Sequence, residues 1–482
     1  MKNNFNYKFI LKSLVFIIPI TMGFLSINST HTHQMMNPFI TEWDVNGSND
    51  TTTFFNTITI PLQSGTYNFD YTWTLVANPS IQISGTHTNA DGDFTTDFTT
   101  GEFYELSIDG QFPHMRDYPK DKLIDVIQWG DIVWSNMQSM FEGWPGAGFS
   151  ATDEPDLSSV TNMNSMFRNT PNFNGNIVNW DVSNITNFFR LFQGAASFNQ
   201  DISTWSVSKV SNMNGLFENA TSFNQNINGW DVSSVQNLSQ AFRNTDGFNQ
   251  PIGNWDVSNV TEMTSMFRDN DIFNQDISMW DVSSVTSLRN MFFNAISFNQ
   301  PIGNWDVNNV NTFREMFAGA NAFNQSLGNW KFKSGANFLA TFNGANSIDC
   351  QSWSSTILGW NFSNPNLNNL NPGGSNNFEY DSIAAIAYNE LVNQRGWTIN
   401  GTAIGGDCGA TFEFPCSDTL QIQNDTLFGN LTLSGNMQVD LKNVVIIQPS
   451  DILITTPLVN IDSLTEVKSG SNFEIINAAG CN

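Results

Sequence analysis

Seven tryptophans recur along this chain at intervals of 25 residues, without one insertion or deletion between them. They are Trp180, Trp205, Trp230, Trp255, Trp280, Trp305 and Trp330. Two phenylalanine series keep the same interval, one running from Phe173 to Phe323 and the other from Phe167 to Phe342. A unit of this size cannot bury such side chains alone, so neighbouring copies must cover one another. The spacing therefore predicts a repeat solenoid of equal coils with a continuous apolar core.

Two hydrophobic patterns within each coil suggest its local structure. Trp255 and Val257 stand two residues apart, as on one face of a short strand. Val260, Met263 and Phe267 follow at i, i+3 and i+7, as on one face of a short helix. The sequence therefore predicts one short parallel strand and one short helix in each 25-residue coil.

The Trp row and the Asn of each FNQ motif are interpreted as structural. Every coil keeps its Trp although the residues around it vary, which favours a core role. The alternative is a row of exposed rings stacking on a glycan. The FNQ asparagines are expected to be buried and to form a hydrogen-bonded ladder to the backbone of neighbouring coils, because loop amide groups need partners. These asparagines run at the 25-residue interval from Asn174 to Asn324.

The repeated motif MF-x-x-A-x-x-FNQ-x-I-x-x-WDVS-x-V-x-x-M closely resembles that of the BspA-like leucine-rich-repeat surface proteins of bacteria. Residues 120–141 and 370–401 extend the resemblance, and the second segment looks like the terminal cap of that family. The resemblance implies a leucine-rich-repeat-like solenoid at the cell surface, adhesion to host or matrix proteins or to other cells, and no catalysis. The WDVS motif departs from the pattern at Ser206 and Lys331, which interrupts the acidic row.

Composition changes along the chain suggest five segments. Residues 1–36 contain a predicted secretory signal peptide and the start of the mature chain, and residues 37–118 alternate apolar and polar residues as in a β-sandwich. That second segment is similar to the PKD-like domains that often precede such repeats. The solenoid is predicted over residues 119–345, its C-terminal cap over 346–404 and a β-rich region over 405–482.

Charge and the N-terminus restrict the possible partners and location. The net charge is −26, and no segment after residue 36 is basic. Binding of nucleic acid or of an anionic membrane needs clustered Lys and Arg, so neither is an expected partner. Lys2, Lys8 and Lys12 precede an apolar run over residues 13–27. That run resembles a signal peptide and is shorter than the roughly 20 residues of a membrane span. The alternative is a membrane anchor, but we expect a secreted or cell-surface protein whose mature chain has no stable membrane span.

The inventory of reactive residues favours no enzyme, cofactor or metal centre. The chain has four histidines and no Ser-His-Asp or Cys-His pattern. Acidic residues at 151–158 offer oxygen ligands for calcium, although a solvated loop is the simpler interpretation. Four cysteines lie at 350, 408, 416 and 481, and three pairings are possible. The short loop between Cys408 and Cys416 favours that pair.

Positions that vary between coils are candidates for a binding face. Met279 and Phe293 are apolar where other coils carry mostly polar or small residues, and Arg268 occupies the Phe293 position one coil earlier. Clustered exposed apolar side chains mark interaction surfaces more often than isolated ones. We therefore predict a face around Arg268, Met279 and Phe293 that binds a protein or a glycan. A purely structural surface spacer is the remaining alternative.

Overall fold

The computed structural model describes residues 37–45, 56–62, 67–89, 91–98, 101–372, 377–382, 384–404, 406 and 408, and the backbone of strands between 413 and 476. The predicted signal segment, residues 1–36, lies outside the described residues. Among those described, no helix is both long and apolar enough to cross a bilayer.

The N-terminal part of the described chain consists of antiparallel strands, which confirms the predicted strand alternation. Its strands are β1 (Phe39–Asp44), β2 (Asn56–Ile60), β3 (Asn68–Leu75), β4 (Gln82–Thr88), β5 (Phe94–Phe98), β6 (Phe103–Gln111) and β7 (Leu123–Gln128). Five of them pair in the order β4-β3-β6-β1-β7, whereas β2 and β5 form a separate pair. The rings of Phe94 and Phe98 on β5 pack against Trp73 on β3, with centroids 6.3 and 4.9 Å apart. The last strand, β7, lies beyond residue 118.

Between residues 129 and 349, a fully described stretch, the repeats contain turns and isolated parallel bridges but no helix. The predicted short helix is therefore wrong. The predicted strand at the Trp position is also wrong, because each repeat contributes only one bridge residue, on the segment where the helix was expected. One bridge joins Val133 with Asp156, and the others join Asn162 with Asn187, Asn187 with Asn212, Asn212 with Asn237, Asn237 with Glu262, Glu262 with Ser287, Ser287 with Thr312 and Thr312 with Asn337.

Two left-handed residues in each repeat explain the missing helix. In one repeat these are Ser265, with φ of 58°, and Asp269, with φ of 56°. A left-handed residue interrupts a right-handed helix, so the chain forms consecutive turns instead. Gly, Asn and Asp tolerate this conformation best, and they occupy the second left-handed position throughout. That series is Asn169, Gly194, Asn219, Asn244, Asp269, Asn294, Gly319 and Gly344.

In a helix, the backbone amides would donate to carbonyls within the same segment. Here, many of them donate to carbonyls of the next repeat instead. The amides of Ser265 and Phe267 donate to carbonyls 24 residues further on, at 2.8 and 3.0 Å, whereas those of Met266 and Arg268 close turns within the repeat. Val260, Met263 and Phe267 are all 0% exposed, so the turns direct the same side chains inward as the expected helix would. The apolar spacing was therefore a correct guide to burial but not to backbone conformation.

A helical segment follows the last repeat. Helix α1 (Cys350–Ser363) is capped by Asp349, whose side chain accepts a hydrogen bond from the Ser352 amide. After strand β8 (Phe378–Tyr380), helix α2 (Ala384–Asn389) continues into a π-helix at Glu390–Gln394, and β9 (Gly401–Ala403) pairs with β8 in parallel. Trp360 on α1 donates its indole N–H to the Leu327 carbonyl, 2.9 Å away, so α1 packs against the last repeat.

The disulfide prediction is wrong about the partner of Cys408. Cys408 is bonded to Cys350, the first residue of α1, which excludes a simultaneous bond to Cys416. The short spacing of 408 and 416 favoured a local loop, but folding brings Cys350 to Cys408 across 58 residues of chain. Cys416 itself lies outside the described residues.

The C-terminal region consists of two parallel sheets, in agreement with the predicted β-rich segment. The strands are β10 (Glu413–Phe414), β11 (Thr419–Gln423), β12 (Thr426–Leu427), β13 (Leu431–Gly435), β14 (Gln438–Ile446), β15 (Asp451–Thr455), β16 (Leu458–Val467) and β17 (Asn472–Ile476). One sheet has the order β10-β13-β15-β17, and the other places β14 between β11 and β16. Consecutive strands thus belong to different sheets, except β11 and β12, which both pair with β14.

Candidate functional site

The tryptophan row lies in the interior of the repeats. The seven indoles are between 1% and 4% exposed. From the second onward, each indole N–H donates to a backbone carbonyl of the preceding repeat, as Trp255 does to Ile227 at 3.1 Å. A ring enclosed on both faces offers no platform for a sugar. The row therefore joins neighbouring repeats rather than presenting aromatic surface.

The FNQ motif forms the expected ladder, although at the surface. The side-chain oxygen of Asn224 accepts from the backbone amide of Asn249 at 3.1 Å, and that of Asn249 accepts from Asn274 at 3.0 Å. The side chain of Gln275 donates to the same Asn249 oxygen at 2.9 Å. The ladder extends from Asn174 to Asp349. The hydrogen bonding is confirmed, but the expected burial is wrong because these amides lie at an exposed edge.

The acidic residue of each WDVS motif closes its own turn. The carboxylate of Asp256 accepts from the backbone amide of Ser258 at 3.1 Å and from its hydroxyl at 2.6 Å. These hydrogen bonds lower the pKa of the Asp256 carboxyl, and the same contacts lower those of Asp181 and Asp281. A local turn accounts for the motif without a bound ion.

The acidic loop at 151–158 also uses its carboxylates within the protein. Asp153 accepts from the backbone amides of Trp129 and Gly130, at 3.0 and 2.8 Å. Glu154 accepts from the Asn179 side chain, and Asp156 accepts from the Ser158 amide. Among the described residues, no three His, Cys, Asp or Glu side chains converge as metal ligands would.

The structure brings two of the three predicted face residues together. The guanidinium of Arg268 lies over the ring of Phe293, 4.4 Å from its centroid, and its Nε is 3.0 Å from the Asp269 carboxylate. Both Arg268 and Phe293 are half-buried. Met279 is 86% exposed and lies on a different segment, in the turn that precedes Trp280.

Arg268 and Phe293 occupy the same position in two successive repeats. The side chains at this position form a network from one repeat to the next. Arg168 contacts Glu142 at 3.0 Å and Gln193 at 2.8 Å. Further along, Arg243 pairs with Glu218 at 3.0 Å. This row alternates charge and polarity over several repeats and then changes to an aromatic residue at Phe293. The sequence signal for the network is the succession of Arg168, Gln193, Glu218 and Arg243 at this position, whose side chains can pair from one repeat to the next.

Two exposed isoleucines near this row were missed by the sequence-based prediction. Ile272 is 42% exposed and Ile296 is 43% exposed. Other repeats carry Ser, Gly, Ala, Thr or Asp at most of the equivalent positions, so the sequence did contain the signal. The predicted face was instead based on the segment between FNQ and the Trp and on the position after the MF pair.

His114 is a buried titratable group near the first repeat. It is 2% exposed, and burial lowers its pKa from the usual 6.5 to about 4. The positive charge of Arg116 and then that of Lys120 act in the same direction. The imidazole is therefore neutral at physiological pH, which suits a structural histidine rather than a general base.

Acidification should destabilise the protein through His114. The folded pKa lies below the unfolded value, so the unfolded chain binds more protons between pH 6.5 and 4. The stability associated with the neutral ring is present above about pH 6.5 and is lost as pH falls towards 4, by on the order of 3 kcal/mol. Urea unfolding of the parent and of His114→Phe at about pH 7, 5.5 and 4.5 measures it. Equal pH slopes for the two proteins would contradict the assignment.

The described geometry defines a repeat protein with an N-terminal antiparallel sheet. Comparison with known families finds a match for the repeats. The model of a family described as Mycoplasma protein of unknown function, DUF285, matches twice, over residues 135–252 and 236–355. Those matches cover the repeats and less than half of the chain, so the repeats are similar to that family. No curated protein and no solved structure matches the chain.

Proposed function

We propose that this chain is an exported or cell-surface repeat protein that acts as a binding or adhesion module. In this proposal the 25-residue repeats form a leucine-rich-repeat-like solenoid of the BspA-like type, preceded by a PKD-like β-sandwich. The signal-like N-terminus supports export, and the acidic charge supports a protein or glycan partner over nucleic acid. No catalytic activity is proposed.

The division between constant and variable positions carries the proposal. The Trp and Phe that recur in every repeat are buried, for example Trp255 at 4% and Phe267 at 0% exposure. Of the positions that vary between repeats, those after FNQ and before the Trp are mostly exposed, with Met279 the extreme case at 86%, whereas the position of Arg268 and Phe293 is half-buried. A constant scaffold with variable outward side chains can be adapted to a partner without loss of stability. The stacked Arg268 and Phe293 add residue types that are enriched at protein interfaces.

A binding array tests the proposal. The parent chain and the variant Arg268→Ser/Met279→Ser/Phe293→Ala should be applied to purified matrix proteins and glycans. We expect the variant to lose about tenfold or more in capture, with its melting temperature within about 2 °C of the parent, because the three side chains lie outside the core.

The repeats themselves supply a matched control. Arg168→Ser/Asn179→Ser/Gln193→Ala changes the equivalent positions four repeats earlier and should leave capture unchanged. Equal loss in both variants would show that the face is not localised. Absence of capture by the parent on either array would favour a structural spacer, and capture of glycans alone would favour a glycan-binding module.

A further inference from the structure

Three neighbouring repeats carry a self-complementary pattern on one edge. The position after the MF pair is Arg243, Arg268 and Phe293 in successive repeats, and the position three residues later is Asp246, Asp271 and Ile296. The first row is called the Arg row and the second the Asp row. Each Arg in the first row thus has an Asp at the corresponding place in the second, and the one aromatic residue has an isoleucine.

Contacts between repeats align these rows side by side. The Asn244 amide donates to the Arg268 carbonyl at 2.8 Å, and the Asp269 amide donates to the Phe293 carbonyl at 2.7 Å. Equivalent core rings of these repeats lie at one spacing, with 5.7 Å between Phe242 and Phe267 and 5.8 Å between Phe267 and Phe292. Both rows therefore advance by the same step along the array.

The carboxylates of the Asp row lack cationic partners within the described part of the chain. In the Arg row, Arg243 forms an ion pair with Glu218 and Arg268 forms one with Asp269. Neither ion pair includes Asp246 or Asp271. Burial and the negative charges of Asp271 and Asp269 raise the pKa of Asp246, so the carboxylates crowd one another. A cation supplied by another molecule would relieve that repulsion.

We propose that this edge is a homodimer interface in which a second copy of the chain pairs its Arg row with the Asp row of the first. A two-fold axis parallel to the array exchanges two rows that lie on either side of it, without shifting either row along the array. Arg268 of each copy then faces Asp271 of the other, and Arg243 faces Asp246 in the same way. Phe293 faces Ile296, which together with Ile272 supplies the apolar part of the contact, at one end of the paired rows.

The pattern is confined to these repeats, which favours a second copy over a general acidic or basic partner. At the earlier and later repeats the same two positions hold combinations without complementarity: Arg168 with Pro171, Gln193 with Ala196, Glu218 with Thr221 and Ala318 with Asn321. An unrelated partner would need complementarity on only one of the rows. The homodimer rests on the proposed interaction face around Arg268 and Phe293, but it does not require adhesion to a foreign ligand.

Sedimentation velocity of the full secreted chain without added ligand tests the proposal. Over about 1 to 100 µM we expect a concentration-dependent dimer. Its dissociation constant should rise about tenfold or more between about 50 mM and 500 mM salt, because exposed ion pairs are screened. A parent chain that stays monomeric throughout would overturn the homodimer. Capture on the matrix and glycan arrays tests the proposed adhesion function and does not depend on this result.

Charge reversal identifies the interface. Arg268→Asp alone should abolish the dimer by opposing two carboxylates twice, and Asp271→Arg alone should do so by opposing two guanidinium groups. An equimolar mixture of the two variants should restore a dimer, since every reversed residue then meets its complement. Dimers of both single variants, or a mixture that stays monomeric, would refute the pairing. Arg168→Asp, which faces Pro171 under the same geometry, is the matched control and should not change the mass.

The double variant Arg268→Asp/Asp271→Arg covers the case in which a single reversal prevents folding. Its rows remain complementary to those of a second identical copy, so it should dimerise as the parent does. A folded, monomeric double variant beside a dimeric parent would also count against the proposal.

Discussion

Replacing Trp255 by alanine should lower the free energy of unfolding by about 3 to 5 kcal/mol. The indole is 4% exposed and lies 6.1 Å from the Phe242 ring, measured between centroids. Its removal leaves a cavity between repeats and deprives the Ile227 carbonyl of the 3.1 Å hydrogen bond from Nε1. The effect should be one of stability, without a separate loss of ligand capture.

Two companion variants separate packing from hydrogen bonding. Trp255→Phe retains an aromatic ring but no donor, and should lose less stability than the alanine variant. Asn254→Ser alters the neighbouring exposed residue and should change unfolding by no more than about 0.5 kcal/mol. Urea unfolding, with hydrogen exchange to locate the opened repeats, provides the measurement. A Trp255→Ala protein that unfolds like the parent but no longer binds its ligand would place the ring at a binding site.

The repetition makes the core predictable from the amino-acid sequence alone. Side chains that recur at the same interval must occupy equivalent places, and a small unit can bury a Trp or Phe only against its neighbours. The burial of Trp255 and Phe267 follows from that argument without knowledge of the backbone. The hydrogen-bonded ladder of FNQ asparagines follows from the same translational equivalence, because each amide meets its own copy one repeat away.

The backbone conformation was less accessible because its signal was weak. Val260, Met263 and Phe267 have a helical spacing, and consecutive turns that contain left-handed residues bury the same three positions. The Gly, Asn and Asp at the Asp269 position were the relevant clue, since these residue types tolerate left-handed φ. The other left-handed position holds residues such as Ser265, Arg190 or Glu315, which carry no such information.

The candidate face was only partly predictable, because its pattern runs across repeats rather than within one repeat. Phe293 and Arg268 stand out as departures from the repeat, and they do contact each other. Ile272 and Ile296 depart in the same manner but were overlooked. Complementarity between two rows appears only when the repeats are aligned side by side, and that alignment depends on contacts between residues 24 to 26 apart.

Removal of the disulfide by Cys350→Ser should destabilise the C-terminal end of the repeats by about 4 kcal/mol. The bond closes a loop of 58 residues, and the chain-entropy model gives this magnitude for a loop of that length. The bond fixes the start of α1, whose Trp360 continues the indole ladder by donating to the Leu327 carbonyl. Terminal repeats need a covering element, so loosening α1 should expose the last repeat.

The pattern of cysteine variants distinguishes the two pairings. With Cys350 bonded to Cys408, Cys350→Ser and Cys408→Ser should lower stability equally, and the double variant should be no worse than either single change. A bond between Cys408 and Cys416 would instead give Cys408→Ser and Cys416→Ser the same effect, with no added loss when those two changes are combined. Peptide mapping under non-reducing conditions identifies the linked peptides directly, while thermal unfolding with and without reductant measures the stability that the bond contributes.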